Sequence, residues 1–188
     1  MVGFVGGPLR KDTVTDSTGI DSTTTDDTLD QVRAATALVA ELEQQERELV
    51  LDSFDHTTAW ELGCRIAELA REARAAVSVD IRRPGLILFR AALPGSTPDQ
   101  ESWIARKSAV VLRLETSSAL ADARFVAAGT DPTDRGWLGP EYAVTGGSVP
   151  VRVRGVGVVA AATVSGLASL DDHALVVQAL RELVAAQG

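Results

Sequence analysis

The sequence predicts an α+β fold, an antiparallel sheet with helices packed on it. Three observations point there. Two pairs of strand-like segments each fold back through a short turn containing glycine, the helical segments each carry a single apolar stripe, and no sustained β-helix-β alternation demands a doubly wound parallel sheet. The chain has 188 residues, of which 45% are apolar and 23% charged, enough for the core of one domain without disulfides or a structural metal.

Between Asp12 and Asp30, fifteen of nineteen residues are Asp, Ser or Thr, too little apolar surface to offset the entropy of ordering them. Residues 1–27 are therefore expected to form a disordered tail, and residues 28–188 a single domain. Thr28-Leu-Asp-Gln31 reads as a capping box opening a first helix with Val32, Ala35, Val39 and Leu42 on its apolar face. Glu48 to Asp52 is short enough to be a strand. A second box, Thr58-Ala-Trp-Glu61, opens a helix whose Ala59, Leu62, Ile66, Leu69 and Ala73 follow the 3, 4, 3, 4 spacing of one face. Val77, Val79 and Ile81 alternate with polar residues, and Arg83-Pro84-Gly85 turns the chain into Leu86 to Leu93, a hairpin.

Thr97-Pro98-Asp99-Gln100 is a third box, with a helix running on to about Leu114. Ser117 caps another helix ending near Gly129. Residues 129–148 then form a long connection containing Trp137, Tyr142 and Gly146-Gly147, and connections of that length are often functional. Val149, Val151 and Val153 alternate with Pro150, Arg152 and Arg154, while Val156 to Val164 is nearly continuous in small apolar residues, as a more buried strand would be. Pro150 argues that its strand lies at an edge. Ser169 starts the last helix, with Val176, Val177, Leu180, Leu183 and Val184 facing the core.

Net charge is −8, and residues 1–30 hold six Asp against Arg10 and Lys11. That balance works against a phosphate backbone, so no nucleic-acid partner is expected. Cys64 is the one cysteine and cannot form an internal disulfide, in keeping with a reducing compartment. Neither a signal-peptide core nor a run of about 18 apolar residues appears. The expected location is the cytoplasm, without membrane contact.

Among polar residues Lys107 stands out, because it lies four after Trp103, three after Ile104, three before Val110 and four before Val111, in the middle of an apolar stripe. Such an ammonium must snorkel, meet a structural carboxylate or anchor an acidic ligand. His173 falls in the first turn of the last helix, where the helix dipole favours a neutral ring suited to ligating metal or moving a proton, or to a plain hydrogen bond. His56, beside Asp55, reads as a solvated capping residue. Arg82, Arg152 and Arg154 lie on the polar sides of their strands and could clamp carboxylates or make salt bridges. Gly155-Val-Gly157 followed by Ala160 mimics a dinucleotide fingerprint, but no helix opens there. Cys64 has no nearby His in sequence to make it a nucleophile.

Several strings, taken in order, carry a family likeness: FDHTTAWELGCRIAELA, VSVDIRRPGLILFRAALPGSTPDQESWIARK, GGSVPVRVRGVGVVAAATVSGL and DDHALVVQAL. Together they resemble the haem-degrading-domain superfamily of the HbpS and GlcG type, and most closely its UPF branch, over nearly everything from Glu48 to Ala185. The resemblance implies a profilin-like fold with a five-stranded antiparallel sheet, assembly into homo-oligomers, and a ligand such as haem or a related tetrapyrrole. The positions it carries over are Asp80 and Arg82, Trp103 and Lys107, Gly146, Gly147 and Pro150, Gly155 and Gly157, Ser165 and Gly166, and Asp172 and His173. In that branch the Gly-Gly pair is often preceded by His and followed by an aromatic residue; here Thr145 and Val149 stand instead, which removes a candidate metal ligand.

The expectation is thus an oligomeric small-ligand-binding protein that binds or weakly degrades haem or a related tetrapyrrole. Lys107, Arg82 and Arg154 would face its carboxylates and His173 would be available to iron. Two alternatives belong to other classes. One is a non-catalytic assembly or adaptor protein whose corresponding residues hold subunits together, and the other an enzyme on an acidic metabolite with Lys107 or His173 as general acid or base.

Overall fold

The computed structural model describes residues 22–188. In chain order the elements are α1 (Ser22–Glu48), β1 (Val50–Leu51), α2 (His56–Glu72), β2 (Ser78–Arg83), β3 (Leu86–Ala92), α3 (Asp99–Leu114), α4 (Ser118–Ala127), a 3-10 turn (Asp134–Gly136), β4 (Ser148–Val153), β5 (Gly157–Ser165) and α5 (Ser169–Gln187). Helix α1 begins at Ser22, ahead of the capping box expected at Thr28, which therefore lies within the helix; residues 1–21 of the expected tail lie outside the described residues. Among the described residues no helix is long and apolar enough to cross a membrane.

The five strands form one sheet in the order β1-β4-β5-β2-β3. Both hairpins are present, and β2 joins them by pairing antiparallel with β5. The sheet is not antiparallel throughout: β1 runs parallel to β4, pairing Val50 with Arg152 and Leu51 with Val153. Two residues are too few for alternation to show, and a parallel neighbour leaves no turn signal in the sequence. This pairing also moves β4 off the edge expected from Pro150. The proline is tolerated because β1 covers only Arg152 and Val153, so no strand lies outside Pro150 to need its missing N–H.

The two sheet faces differ. Val77, Val79 and Ile81, with Phe89, Val149, Val151, Ala160, Ala162 and Val164, turn one way and form the apolar core with α2 and α5. The opposite face, against α3, carries a polar row in register across four strands: Ser148, Thr163, Asp80 and Arg90. Ser148 and Thr163 hydroxyls lie 2.7 Å apart. Fully buried Asp80 accepts from Arg82 Nε at 2.5 Å and from Arg90 at 2.7 and 2.9 Å, and Arg90 reaches on to Glu101. Helix α1 lies across α4 through Leu38, Val39 and Leu42, and Glu46 accepts from the Ser117 N–H at 2.6 Å.

The caps sort into those that form and those displaced by a stronger partner. Ser117 caps α4 by accepting from Leu120 N–H. Helix α2 starts two residues before the expected box because Asp55 accepts from Thr58 N–H at 2.8 Å, and its carboxylate is the better acceptor at a helix N-terminus. At α3 no side-chain cap forms. Gln100 is drawn away, donating to the Ala76 carbonyl at 2.8 Å and meeting the Ser78 hydroxyl at 3.0 Å.

Candidate functional site

At the end of the sheet where β5 stops and β2 and β4 begin, α3 on one face and α5 on the other come within side-chain reach. Lys107 of α3 and Asp172 of α5 meet there, Nζ to Oδ2 at 2.9 Å, and both are almost fully enclosed at 4% and 1% exposure. The lysine also donates to the Val164 carbonyl at 3.3 Å. The aspartate receives the N–H groups of Leu167 (2.9 Å) and Gly166 (3.3 Å) in the β5–α5 turn. Burial raises the Asp172 pKa above the ordinary carboxyl value, and Lys107 with the two N–H groups pulls in the opposite direction.

Glycine is required on two sides of this pair. At Gly147, φ is +122°, and a Cβ would stand 2.6 Å from the Val164 oxygen, 2.8 Å from Lys107 Nζ and 2.9 Å from Asp172 Cβ. At Gly166, φ is +146° and a Cβ would meet the Ala76 oxygen at 2.5 Å. The backbone thus closes over the ion pair and keeps it dry, except on one side.

That side opens into a cleft of about 340 Å³. Thr97, Asp99, Gln100 and Trp103 come from α3 and the loop before it, Thr145 from the end of the long connection, and Ser165, Gly166, Leu167 and Ser169 from the β5–α5 turn. The first turns of two helices, α3 and α5, therefore border one space. Trp103 forms a wall, its indole N–H held by Asp99 at 2.9 Å and its ring covered by the Arg106 guanidinium at 5.0 Å. Ser169 Oγ is engaged by Gly146 N–H at 2.6 Å. The long connection is pinned along α3, with Ala143 N–H on the Arg106 carbonyl and Arg106 on Pro140, and this presents Thr145 at the rim.

Of the residues singled out in the sequence, Trp103, Lys107, Gly147, Ser165 and Asp172 come together here. Asp80 and Arg82 lie on the same sheet face but are bonded to each other, and Arg82 borders a separate groove under the β2–β3 turn. Arg154 and Gly155 belong to the β4–β5 turn, at the other end of β5 and about 25 Å away along the strand. Arg154 is exposed and paired with Asp52 at 3.1 Å. The expected clamp of Lys107, Arg82 and Arg154 is therefore not assembled: strand length separates Arg154 from the lysine, and buried Asp80 takes Arg82.

His173 is also elsewhere. Its ring turns toward α1, Nε2 lies 2.6 Å from Gln45 Oε1, and Nδ1 is buried without a partner among the described residues. Burial lowers its pKa to about 4, with Arg181 adding to the drop and Glu46 opposing it, so the ring is neutral. His56 is exposed at the start of α2. Thr97, Gln100 and Ser169 were not legible as site residues, since each reads in sequence as a helix-start residue. Arg90 was missed because the register placing it opposite Asp80 is a long-range fact.

With this geometry established, comparison with known proteins is informative. The family model for haem degrading protein HbpS-like matches residues 54–181. The chain belongs to the HbpS-like family. Within it, a UPF0303 protein of Streptomyces coelicolor is 54% identical over 147 residues, spanning 78% of this chain and 93% of its own. A UPF0303 protein of Acidobacterium capsulatum is 41% identical over 145 residues, spanning 77% and 86%. Among solved structures, the Ybr137w protein superposes with a TM-score of 0.74 at 29% identity, covering 86% of this chain and 95% of that one. A double mutant of HbpS from Streptomyces reticuli gives 0.57 at 21% identity, covering 70% and 86%. A PduOC:Heme complex gives 0.56 at 16% identity, covering 72% and 96%; these last two show a shared fold.

Proposed function

We propose that this HbpS-like chain is a small-ligand-binding protein, working as an assembly of identical subunits, whose cleft over Lys107 takes a compact carboxylate or similar anion. The observation that carries this reading is a buried lysine that is neutralised by Asp172 yet still borders open space. Of its three N–H groups, one goes to Asp172 and one to Val164, leaving one for a ligand. The positive ends of α3 and α5 border the same space and favour negative charge. Thr97, Thr145 and Ser165 supply hydroxyls that can orient a ligand against the Trp103 wall. The cleft is near the small end of the range for ligand pockets.

Haem is what the family's name and one structural neighbour bring forward, and its iron needs an axial ligand. The chain has two histidines, and neither lines the cleft. No Cys, Met or Tyr lines it either. His173 has an unpartnered Nδ1, but the ring is buried beside α1 and away from the cleft, so it could reach iron there only by giving up that burial. These residues do not fit haem held through its iron in this cleft, so a small anion is the better reading.

Calorimetric titration with acetate, pyruvate, succinate and citrate tests it, alongside Trp103→Ala and Thr145→Glu, which alter the wall and the rim without touching the ion pair. Saturable binding of at least one probe, weakened by both substitutions, is expected. Binding of none, or binding indifferent to both, would overturn the site. Hemin is titrated in parallel into wild type and His173→Ala; a Soret shift lost in the variant would place iron on that imidazole and reverse the conclusion on haem.

A further inference from the structure

The sheet ends on β3, and among the described residues no strand pairs with its outer edge. The strand is Leu-Ile-Leu-Phe-Arg-Ala-Ala. An edge of this length offers free N–H and C=O groups to any passing strand, and proteins discourage this with Pro, outward charges or bulges. Here the strand's one charge, Arg90, is turned inward onto Asp80 and Glu101. A bulge at Leu88, between the Ile81–Phe89 and Arg82–Ile87 pairs, bends the turn but leaves residues 89–92 in regular register.

Apolar side chains flank that edge on both sheet faces. On the α2 side, Phe89 lies over Gly63, where a Cβ would stand 2.2 Å from the ring, and Trp60 meets Phe89 edge-on at 5.6 Å between centroids. Trp60 is thus held in place although 61% exposed, the condition of an aromatic anchor awaiting a partner. On the α3 side, Leu86 (43%) and Ile87 (51%) overhang a groove of about 270 Å³ floored by Ala105, Ala109 and Leu112.

We infer that β3 is where two copies of this chain join, edge to edge and antiparallel about a two-fold axis, with Trp60 on one face and Leu86 and Ile87 on the other packing across the junction. This rests on the reading of the protein as an assembly of identical subunits. A second copy is favoured as the occupant for two reasons. Trp60 alone exposes about 150 Å² of apolar surface, taking a large aromatic as about 250 Å². With Leu86 and Ile87, each copy offers about 300 Å² of exposed apolar side chain, a substantial part of the ~800 Å² per partner of a standard interface, to which the pairing of the β3 backbones adds. Antiparallel self-pairing also closes at two copies, so the free edge is used up instead of templating a fibre.

The test is the mass of the full chain by light scattering across a dilution series, for wild type, Ile87→Lys and Trp60→Ser, with far-UV circular dichroism on the same samples and amide exchange along β3. Wild type is expected at an even number of subunits. Both substitutions are of exposed side chains and should keep the fold; each is expected to halve the mass and speed exchange at β3 amides. A wild-type monomer at every concentration overturns both the assembly and this interface. A wild-type oligomer whose mass and β3 exchange are unchanged in both variants overturns the interface alone. So does β3 exchange in wild type that becomes fast only when residues 1–21 are removed, since the occupant would then be the chain's own N-terminal segment.

Discussion

Replacing Lys107 with Met keeps the stem length and removes the charge, leaving the Asp172 carboxylate enclosed with only the Leu167 and Gly166 N–H groups. Breaking a buried pair from one side costs about 3–5 kcal/mol. For a chain of this size each kcal/mol lowers Tm by about 2–4 °C, so a drop of roughly 10 °C is expected at neutral pH. The pH dependence separates an uncompensated charge from simple loss of packing. Asp172 already has a raised pKa because burial outweighs its partners, and removing Lys107 removes the largest opposing partner. A carboxyl with a raised folded pKa binds its proton in the folded state before it does so unfolded, so its penalty is fully present at high pH and relieved as pH falls toward the ordinary carboxyl range. The stability gap between wild type and Lys107→Met, measured by urea unfolding, should therefore narrow steadily from pH 7 toward pH 4. Lys107→Met/Asp172→Asn, which removes both charges, should recover most of the loss at neutral pH. A gap under about 1 kcal/mol, or one independent of pH, would show that the pair is solvated and would refute the enclosed-charge argument.

Two further outcomes follow from the same geometry. Gly147→Ala forces a Cβ into the Val164 carbonyl and the lysine at a φ that L-residues rarely adopt, so it should cost at least about 2 kcal/mol in chemical denaturation; an unchanged midpoint would mean that the backbone does not close over the pair. His173 has a folded pKa lowered from 6.5 to about 4, so the stability it contributes is present above pH 6.5 and lost as pH falls toward 4, by up to about 3 kcal/mol at 1.36 kcal/mol per unit. His173→Phe should flatten that part of the stability profile, and an NMR titration placing the wild-type imidazole near its ordinary value would contradict the burial.

Much of the fold was readable because its signals are local. Period-2 alternation at Val77, Val79 and Ile81 and again at Val149, Val151 and Val153 marks real strands, and Ser117 caps its helix as its type and place suggest. The buried setting of Lys107 was also legible, since its neighbours three and four residues away are apolar on a helical face. What failed was decided by partners distant in the chain and not joined to it by a turn, or by the register within a hairpin. Strand β1 is too short to alternate, Gln100 left its capping role for Ala76 and Ser78, and Arg90 meets Asp80 only through the β2–β3 register. His173 shows the same limit. Its place in the first turn of α5 was correctly read, but the direction of its ring depends on Gln45, 128 positions earlier.

The two unlike sheet faces explain why the site lies where it does. On the apolar face, packing against α2 and α5 is non-directional, and Val, Leu and Ile suffice. On the other face α3 rests on a row of hydroxyls and a carboxylate, and a buried polar row is tolerable only if each member is satisfied. Ser148 and Thr163 satisfy each other, and Arg82 and Arg90 satisfy Asp80. Lys107 finds no free carboxylate in the row, since Asp80 is taken by the two arginines. Its partner comes from α5 on the opposite face, and Asp172 can reach it only past the end of the sheet, where β5 turns through Gly166. The ion pair therefore links the two helical layers at the place where strands stop and two helices start, which is also where a cleft with unspent donors must form. On this account the cleft follows from how the sheet's polar face is completed. A ligand there would bind both layers at once, so the bound protein should resist unfolding of α3 and α5 together, a coupling that amide exchange on the two helices would register as protection gained in step.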